Sequence, residues 1–142
     1  MAENDAEIYQ LDEQVGFILR KVGQRHATIF QERMPMGLTM TQFAALVRLA
    51  ELGECSQNEL GRQTAMDVAT IKGVVDRLRR KGLVEQKPDP VDKRRSTLAV
   101  TPEVLSELAA LHVAGHGITA ETLAPLTAAE QKTLIKLLKK MA

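Results

Sequence analysis

The 142-residue chain has a single cysteine, Cys55, so no disulfide can form within it. Aromatic residues are nearly missing: Tyr9, Phe17, Phe30 and Phe43 are all there are, and any core must be built from Leu, Val, Ile and Ala. No apolar run is long enough to span a bilayer, and the acidic start MAENDAE does not read as a signal peptide, so a cytoplasmic protein is expected. There is no glycine-rich phosphate loop, no serine nucleophile elbow and no cluster with metal-ligand spacing. These absences argue against an enzyme, and no cofactor is expected. Internal repeats and low-complexity tracts are also missing.

What is present is helical periodicity broken by clear caps. The length suits one compact domain, residues 1–142, with a sizeable core. Residues 1–10 read as frayed. Leu11 to Arg33 reads as a helix with Val15, Leu19, Val22, His26, Ile29 and Phe30 on one face, broken by Met34-Pro35-Met36-Gly37. Thr39-Met40-Thr41-Gln42 is a capping box opening a helix that Gly53 closes, with Phe43, Leu46, Val47, Leu49 and Ala50 inward. Thr101-Pro102 starts another helix, with Val104, Leu108, Leu111, Gly115 and Ile118 inward and Pro125 as its stop. Thr127 to Glu130 is a further capping box, and Leu134, Leu137, Leu138 and Met141 line the last helix.

The stretch that organises the chain is Ser56 to Thr101. Ser56 to Glu59 has the form of a capping box, and Leu60 faces inward from the short helix it opens. Thr64 to Asp67 reads as a turn, with Asp67 as the cap of a second helix. Val68, Ile71, Val74, Val75 and Leu78 have the spacing of that helix's buried face, and Gly82 ends it where a left-handed backbone is needed. Two strand-like runs follow, Leu83 to Lys87 and Ser96 to Val100, joined by a charged loop. The fold class expected is mainly α, a winged helix-turn-helix over 39–101 with one small β-hairpin wing, flanked by helices at 11–33 and 102–142.

This order suits double-stranded DNA, because the major groove admits one α-helix held by a partner crossing behind it. The second helix leaves Ala69, Thr70, Lys72, Gly73, Asp76 and Arg77 off its apolar face, small and polar enough to approach base edges. Arg77, Arg79, Arg80 and Lys81 lie further along, where phosphates would be. Ser56 and Gln57, at the start of the preceding helix, join the expected DNA-binding residues, as do Asp92, Lys93, Arg94 and Arg95 at the hairpin tip. Charge supports this over a merely solvated loop. Residues 62–95 carry a net charge of +5 while the rest of the chain carries −4, so the total of +1 hides a basic patch.

At these residues the chain resembles the MarR family of bacterial transcription regulators, over about Leu11 to Met141. The most specific segment is DRLRRKGLVEQKPDPVDKRRSTLAVT, residues 76–101. The family's wing, Asp-Pro-x-Asp-x-Arg ending in a Leu/Val-Thr pair, is matched by Asp89-Pro90-Val91-Asp92-Lys93-Arg94 and Val100-Thr101. The resemblance implies that Arg94 enters the minor groove and that Asp92 braces the wing. Gln86 departs from the Arg of many relatives, which removes one phosphate contact. The resemblance also implies that the first helix and the two after the wing form a homodimer. Such a dimer presents two recognition helices to a pseudo-palindromic operator with half-sites about 10 bp apart.

His26 has two readings: a packed histidine, or part of a pocket for a small aromatic anion, which the resemblance implies. Phe17, Arg20, His26 and Phe43 are the expected lining, with Arg20 and Arg25 as counter-charges. YQLDEQVGFILRKVGQRHATIF and TMTQFAALVRLAELG look like the branch controlling catabolism of aromatic acids, and TAMDVATIKGVVDRL is similar to repressors of nicotinate-type degradation. The reading is therefore a repressor released from DNA by a small aromatic carboxylate, such as a hydroxylated pyridine or benzoate-type acid. Metal or oxidant sensing are the alternatives. His112 and His116 share a helix face but are two ligands only, and Cys55 has no adjacent basic cluster to activate it. A winged helix serving only as a protein-interaction module is the third reading; it would not need the basic face.

Overall fold

The computed structural model describes residues 7–142, so most of the expectation for residues 1–10 lies outside the described residues. The elements are a 3-10 turn, Leu11–Glu13, then α1 (Val15–Arg33), α2 (Met40–Leu52), α3 (Gln57–Gln63), α4 (Val68–Arg80), β1 (Val84–Pro88), β2 (Ser96–Val100), α5 (Pro102–Leu123) and α6 (Ala128–Met141). The fold is mainly helical with one antiparallel hairpin, in register from Val84 opposite Val100 to Pro88 opposite Ser96. The expected first helix thus starts four residues late, after the 3-10 turn, and the first strand is displaced by one residue. No helix among the described residues is long and apolar enough to cross a membrane.

The chain divides into two compact units, Arg33–Gly117 and the described part of Met1–Glu32 with Ile118–Ala142. In Arg33–Gly117, α2, α3 and α4 pack on one another, with β2 against α2 and β1 against α4. The largest fully buried side chains here are Leu46, Leu49, Leu60, Ile71, Val75, Leu78, Val104 and Leu111. Burying one such side chain contributes about 1.5–3 kcal/mol, and this core fixes where α4 lies. Strand β2 is also bridged to the loop before α3 by paired backbone bonds between Cys55 and Leu98, at 3.3 and 2.8 Å.

Caps set the helix ends. Thr39 and Gln42 form a complete capping box, as do Thr127 and Glu130. Ser56 makes only half of the expected one. Its hydroxyl accepts from Glu59 N, but the Glu59 carboxylate turns to Arg62 and Gln63. Those donors, Gln63 first, hold the Glu59 carboxyl below its usual range. Gly53 and Gly82 both have positive φ, as their stop positions require.

The other unit shows a different balance. Ile29, Phe30 and Ile118 are buried, but Val15, Leu19 and Val22 on α1 are exposed, as are Leu137, Leu138 and Met141 on α6. The expected inward stripe of α1 is therefore covered only at its C-terminal end. The end of α5 is closed by a side chain: Arg25 donates to the carbonyls of Glu121 and Thr122 at 2.8 and 2.7 Å. A cation there meets the negative end of the helix and adds a donor to carbonyls of its last turn.

Candidate nucleic-acid interface

Helix α4 is capped by Asp67, whose carboxylate accepts from Thr70 N at 2.7 Å. That bond lowers the Asp67 pKa, so the cap is anionic at neutral pH. Ile71, Val74, Val75 and Leu78 form the buried stripe. Val68 does not: the sequence placed it on this stripe, yet it is 69% exposed. The tight contact between α3 and α4 lies one turn further in, where a Cβ on Gly61 would sit 3.1 Å from both Ile71 Cγ2 and Met66 O. Val68 projects beyond that contact, beside Ala69 and Thr70, which are exposed too. The first turn of α4 thus offers a valine, an alanine and a threonine to solvent.

The turn feeding α4 is tight. Thr64, Ala65 and Met66 donate backwards to Gly61 and Arg62 carbonyls, and the Thr64 hydroxyl donates to Leu60 O at 2.6 Å. Ala65 takes a left-handed φ of 55°, which costs a Cβ-bearing residue roughly 1–2 kcal/mol. Gly61 lets the two helices meet, so the angle between them is a packing consequence of one missing methyl group.

Lys72 bonds Asp76 at 2.9 Å, one turn along α4. This partner lowers the Asp76 pKa and competes with any base contact Lys72 makes. Arg77, Arg79 and Arg80 are exposed beyond it, while Gly73 is half-buried with space around it. A polar groove of about 610 Å³ runs between α4 and β1, lined by Asp76, Arg79, Arg80, Glu85 and Gln86 among others. Lys81 departs from the row of outward cations: its ammonium donates to Gly37 O at 3.2 Å and Gln42 Oε1 at 3.3 Å, across on α2 and the turn before it.

The wing tip is self-bonded. Asp89 Oδ1 accepts from Val91 N and Asp92 N, and Asp89 N donates to Arg95 O at 3.1 Å. The Asp92 carboxylate accepts from Arg94 N, Nε and Nη2 at 3.0, 3.1 and 3.2 Å, and Arg95 Nε lies 3.8 Å away. These Arg94 bonds hold the Asp92 carboxyl below its usual range. Gln86 donates to Ser96 Oγ across the hairpin. The arrangement presents Lys93, Arg94 and Arg95 on an exposed tip. It joins them to α4 through Gly82 and Leu83, whose carbonyls take the Thr101 hydroxyl and the Thr101 amide. Ser56 and Gln57 lie at the start of α3, with the Ser56 hydroxyl engaged as a cap.

The expected effector residues fall in both units. Phe17, Arg20 and His26 lie on α1, and Phe43 lies on α2. His26 is half-buried with Nδ1 2.8 Å from Thr122 Oγ1. Arg25 is engaged by the α5 carbonyls, so its charge is directed there. Lys21 lies over the Phe17 ring at 5.6 Å. Phe43 packs against Gly115, where a Cβ would come within 2.9 Å of the ring.

The side chains of the alternative readings are less engaged. Burial, with the Glu59 charge adding to it, raises the Cys55 pKa, the opposite of what a reactive thiolate needs. His112 and His116 are exposed on α5, and among the described residues no three His, Cys, Asp or Glu side chains gather to hold a metal. Sequence reasoning placed Gln42 in a capping box but missed its burial and the Lys81 contact with it. No local pattern signals that contact.

Residues 38–96 match the model of the MarR family. The chain is 40% identical over 134 residues to the HTH-type transcriptional repressor NicR of Pseudomonas putida, covering 94% of this chain and 85% of that one. A probable transcriptional regulator from Pseudomonas aeruginosa superposes with a TM-score of 0.90 at 50% identity, covering 94% of this chain and all of the other. BpsR of Bordetella bronchiseptica gives 0.88 at 36% identity over 94% and 96%; that structure concerns regulation of its DNA binding by 6-hydroxynicotinic acid.

Proposed function

This chain belongs to the MarR family of transcriptional regulators and is not an enzyme, and we propose that it is a cytoplasmic, dimeric repressor released from its operator by a small aromatic carboxylate. The observation that carries the effector class is the likeness, over 94% of the chain, to a protein whose DNA binding is regulated by 6-hydroxynicotinic acid. Residues 39–101 are the reading head, in which the start of α4 enters the major groove and Lys93, Arg94 and Arg95 flank it. Residues 11–33 and 102–142 are the dimerisation helices. The exposed apolar side chains of α1 and α6 support this, since an isologous interface needs one self-complementary patch.

For the effector, Phe17, Arg20, His26 and Phe43 supply two rings, one cation and one imidazole, a set suited to an aromatic acid. The hydrogen bond between His26 and Thr122 holds the imidazole in one orientation. A ligand acts only through different affinities for the free and DNA-bound shapes, and linkage makes operator weaken the effector by the same factor. The test is titration of 6-hydroxynicotinate into wild type and His26→Ala bound to a labelled, selected operator. Release from wild type and a blunted response in His26→Ala, with equal binding when no acid is present, are expected. Equal sensitivity removes His26 from the site. No release by this or any benzoate-type acid refutes the effector class.

A further inference from the structure

Lys81 caps the C-terminal end of α4, with its amide donating to the Arg77 and Arg79 carbonyls, and the next residue, Gly82, turns the chain into β1 with φ of 73°. Its side chain runs away from the basic row to Gly37 O and Gln42 Oε1. Gln42 is the one buried polar or charged residue among the described residues, and its Oε1 also accepts from Thr39 N, completing the cap of α2. Gly37 belongs to the turn that follows α1, where it and Met36 both adopt left-handed φ, 62° and 64°. Met36 carries a Cβ, so the turn is strained and needs outside contacts to hold it. Met34 and Leu38, on either side, are buried. The ammonium also sits at the amino end of α2, where the helix dipole disfavours a cation, so its two acceptors are what keep it there.

We propose that Lys81 is a positioning residue: its ammonium ties the end of the recognition helix to the strained turn and buried cap that open α2, setting the pose in which α4 and the wing meet DNA, without contacting a phosphate itself. The inference rests on the DNA-binding reading above. Because α4 ends and β1 begins within three residues of this lysine, displacing it resets both parts of the DNA surface. The geometry also explains why this cation of a basic run, exposed as it is, turns toward α2: Gly37 O and Gln42 Oε1 together offer it two acceptors.

The experiment measures operator affinity over a salt series for wild type, Lys81→Met, Lys81→Arg, Gln42→Glu and Arg77→Ala, each well below its melting temperature. A lost phosphate contact makes the slope of log affinity against log salt shallower by about 0.9 per protomer. Arg77→Ala is expected to do so. Lys81→Met is expected to weaken binding on the order of tenfold at every salt concentration, on a line parallel to wild type. Lys81→Arg restores most of the loss. Gln42→Glu keeps both acceptor roles and retains tight binding, which tests the tie through a second residue. A shallower slope for Lys81→Met makes it a phosphate contact and overturns the proposal, as does wild-type affinity in that variant. Failure of the wild type to bind any selected duplex defeats the DNA reading instead.

Discussion

Replacing Arg94 by alanine isolates the electrostatic share of the wing. The Arg94 side chain is 91% exposed and bonds only to Asp92 among the described residues. After its removal Asp92 keeps the Arg94 amide and the nearby Arg95 guanidinium, while Asp89 still closes the tip. The melting temperature should therefore stay within about 2 °C, since a surface change of this kind is worth less than roughly 0.5 kcal/mol. DNA binding should change in a defined way. A dimer loses two cations, so the slope of log affinity against log salt becomes shallower by about 1.8. Between roughly 50 and 200 mM salt, that difference makes wild-type affinity fall about 12-fold more than that of the variant. If the tip lies in a narrow minor groove, the deficit is also larger on A·T-rich flanks, whose potential attracts arginine. Fluorescence anisotropy at four salt concentrations on A·T- and G·C-flanked duplexes measures both effects. An unchanged slope with unchanged affinity refutes the placement of Arg94 on DNA.

Three further outcomes rest on the packing and hydrogen bonds described above. Gly61→Ala gains about 1 kcal/mol of helix propensity, but overpacks Ile71 and the Met66 carbonyl at about 1–3 kcal/mol. Urea unfolding should show a net loss of about 0–2 kcal/mol with a larger loss of operator affinity, and a more stable variant that binds normally contradicts the packing argument. The Thr97 hydroxyl is buried without a hydrogen-bond partner among the described residues, so Thr97→Val should be neutral or stabilise by up to about 1 kcal/mol in a thermal melt; a clear loss means that the hydroxyl has a partner. Asp67, Asp92 and Glu130 all have pKa values lowered by hydrogen bonds to their folded carboxylates. Their stabilisation is thus present at neutral pH and is lost as pH falls through the ordinary carboxylate range and below it. Asp67→Asn, which still caps a helix but does not titrate, should make the acid limb of the stability curve less steep, and an unchanged limb counts against the cap.

Local signals were legible where a short motif and its partner lie within one turn. Thr39-Gln42, Thr127-Glu130, Asp67 and Gly82 all do what their neighbours in sequence dictate. The buried stripe of α4 was readable from Ile71 onward by period alone. Val68 was not, because period says which face a residue occupies and not how far the neighbouring helix reaches. Glu59 had three candidate partners, and the helix places Arg62 and Gln63 on its own side while the cap lies behind it. The hairpin was legible from its Asp-Pro-Val-Asp-Lys-Arg tip, but that the Asp92 carboxylate would accept from Arg94 was not. The roles of Arg25 and Lys81 were hidden for a common reason. Each reaches a carbonyl distant in sequence, 96 and 44 residues away respectively, and backbone acceptors leave no trace in side-chain pattern. Both look like members of basic runs until the fold shows what lies opposite.

The hairpin is fastened at its root by Thr101 to Gly82 and Leu83, and at its tip by Asp89 and Asp92. Between those fasteners, Val91 is 94% exposed and the Lys93 side chain is exposed as well. The tip is thus an interchangeable cassette. Substitutions at 91 and 93 can alter what the wing prefers to touch while the fasteners hold its shape, so a lineage carrying this fold can acquire a new target at little risk to folding. Helix α4 has no such freedom, because its exposed residues alternate with Ile71, Val74, Val75 and Leu78, which build the core.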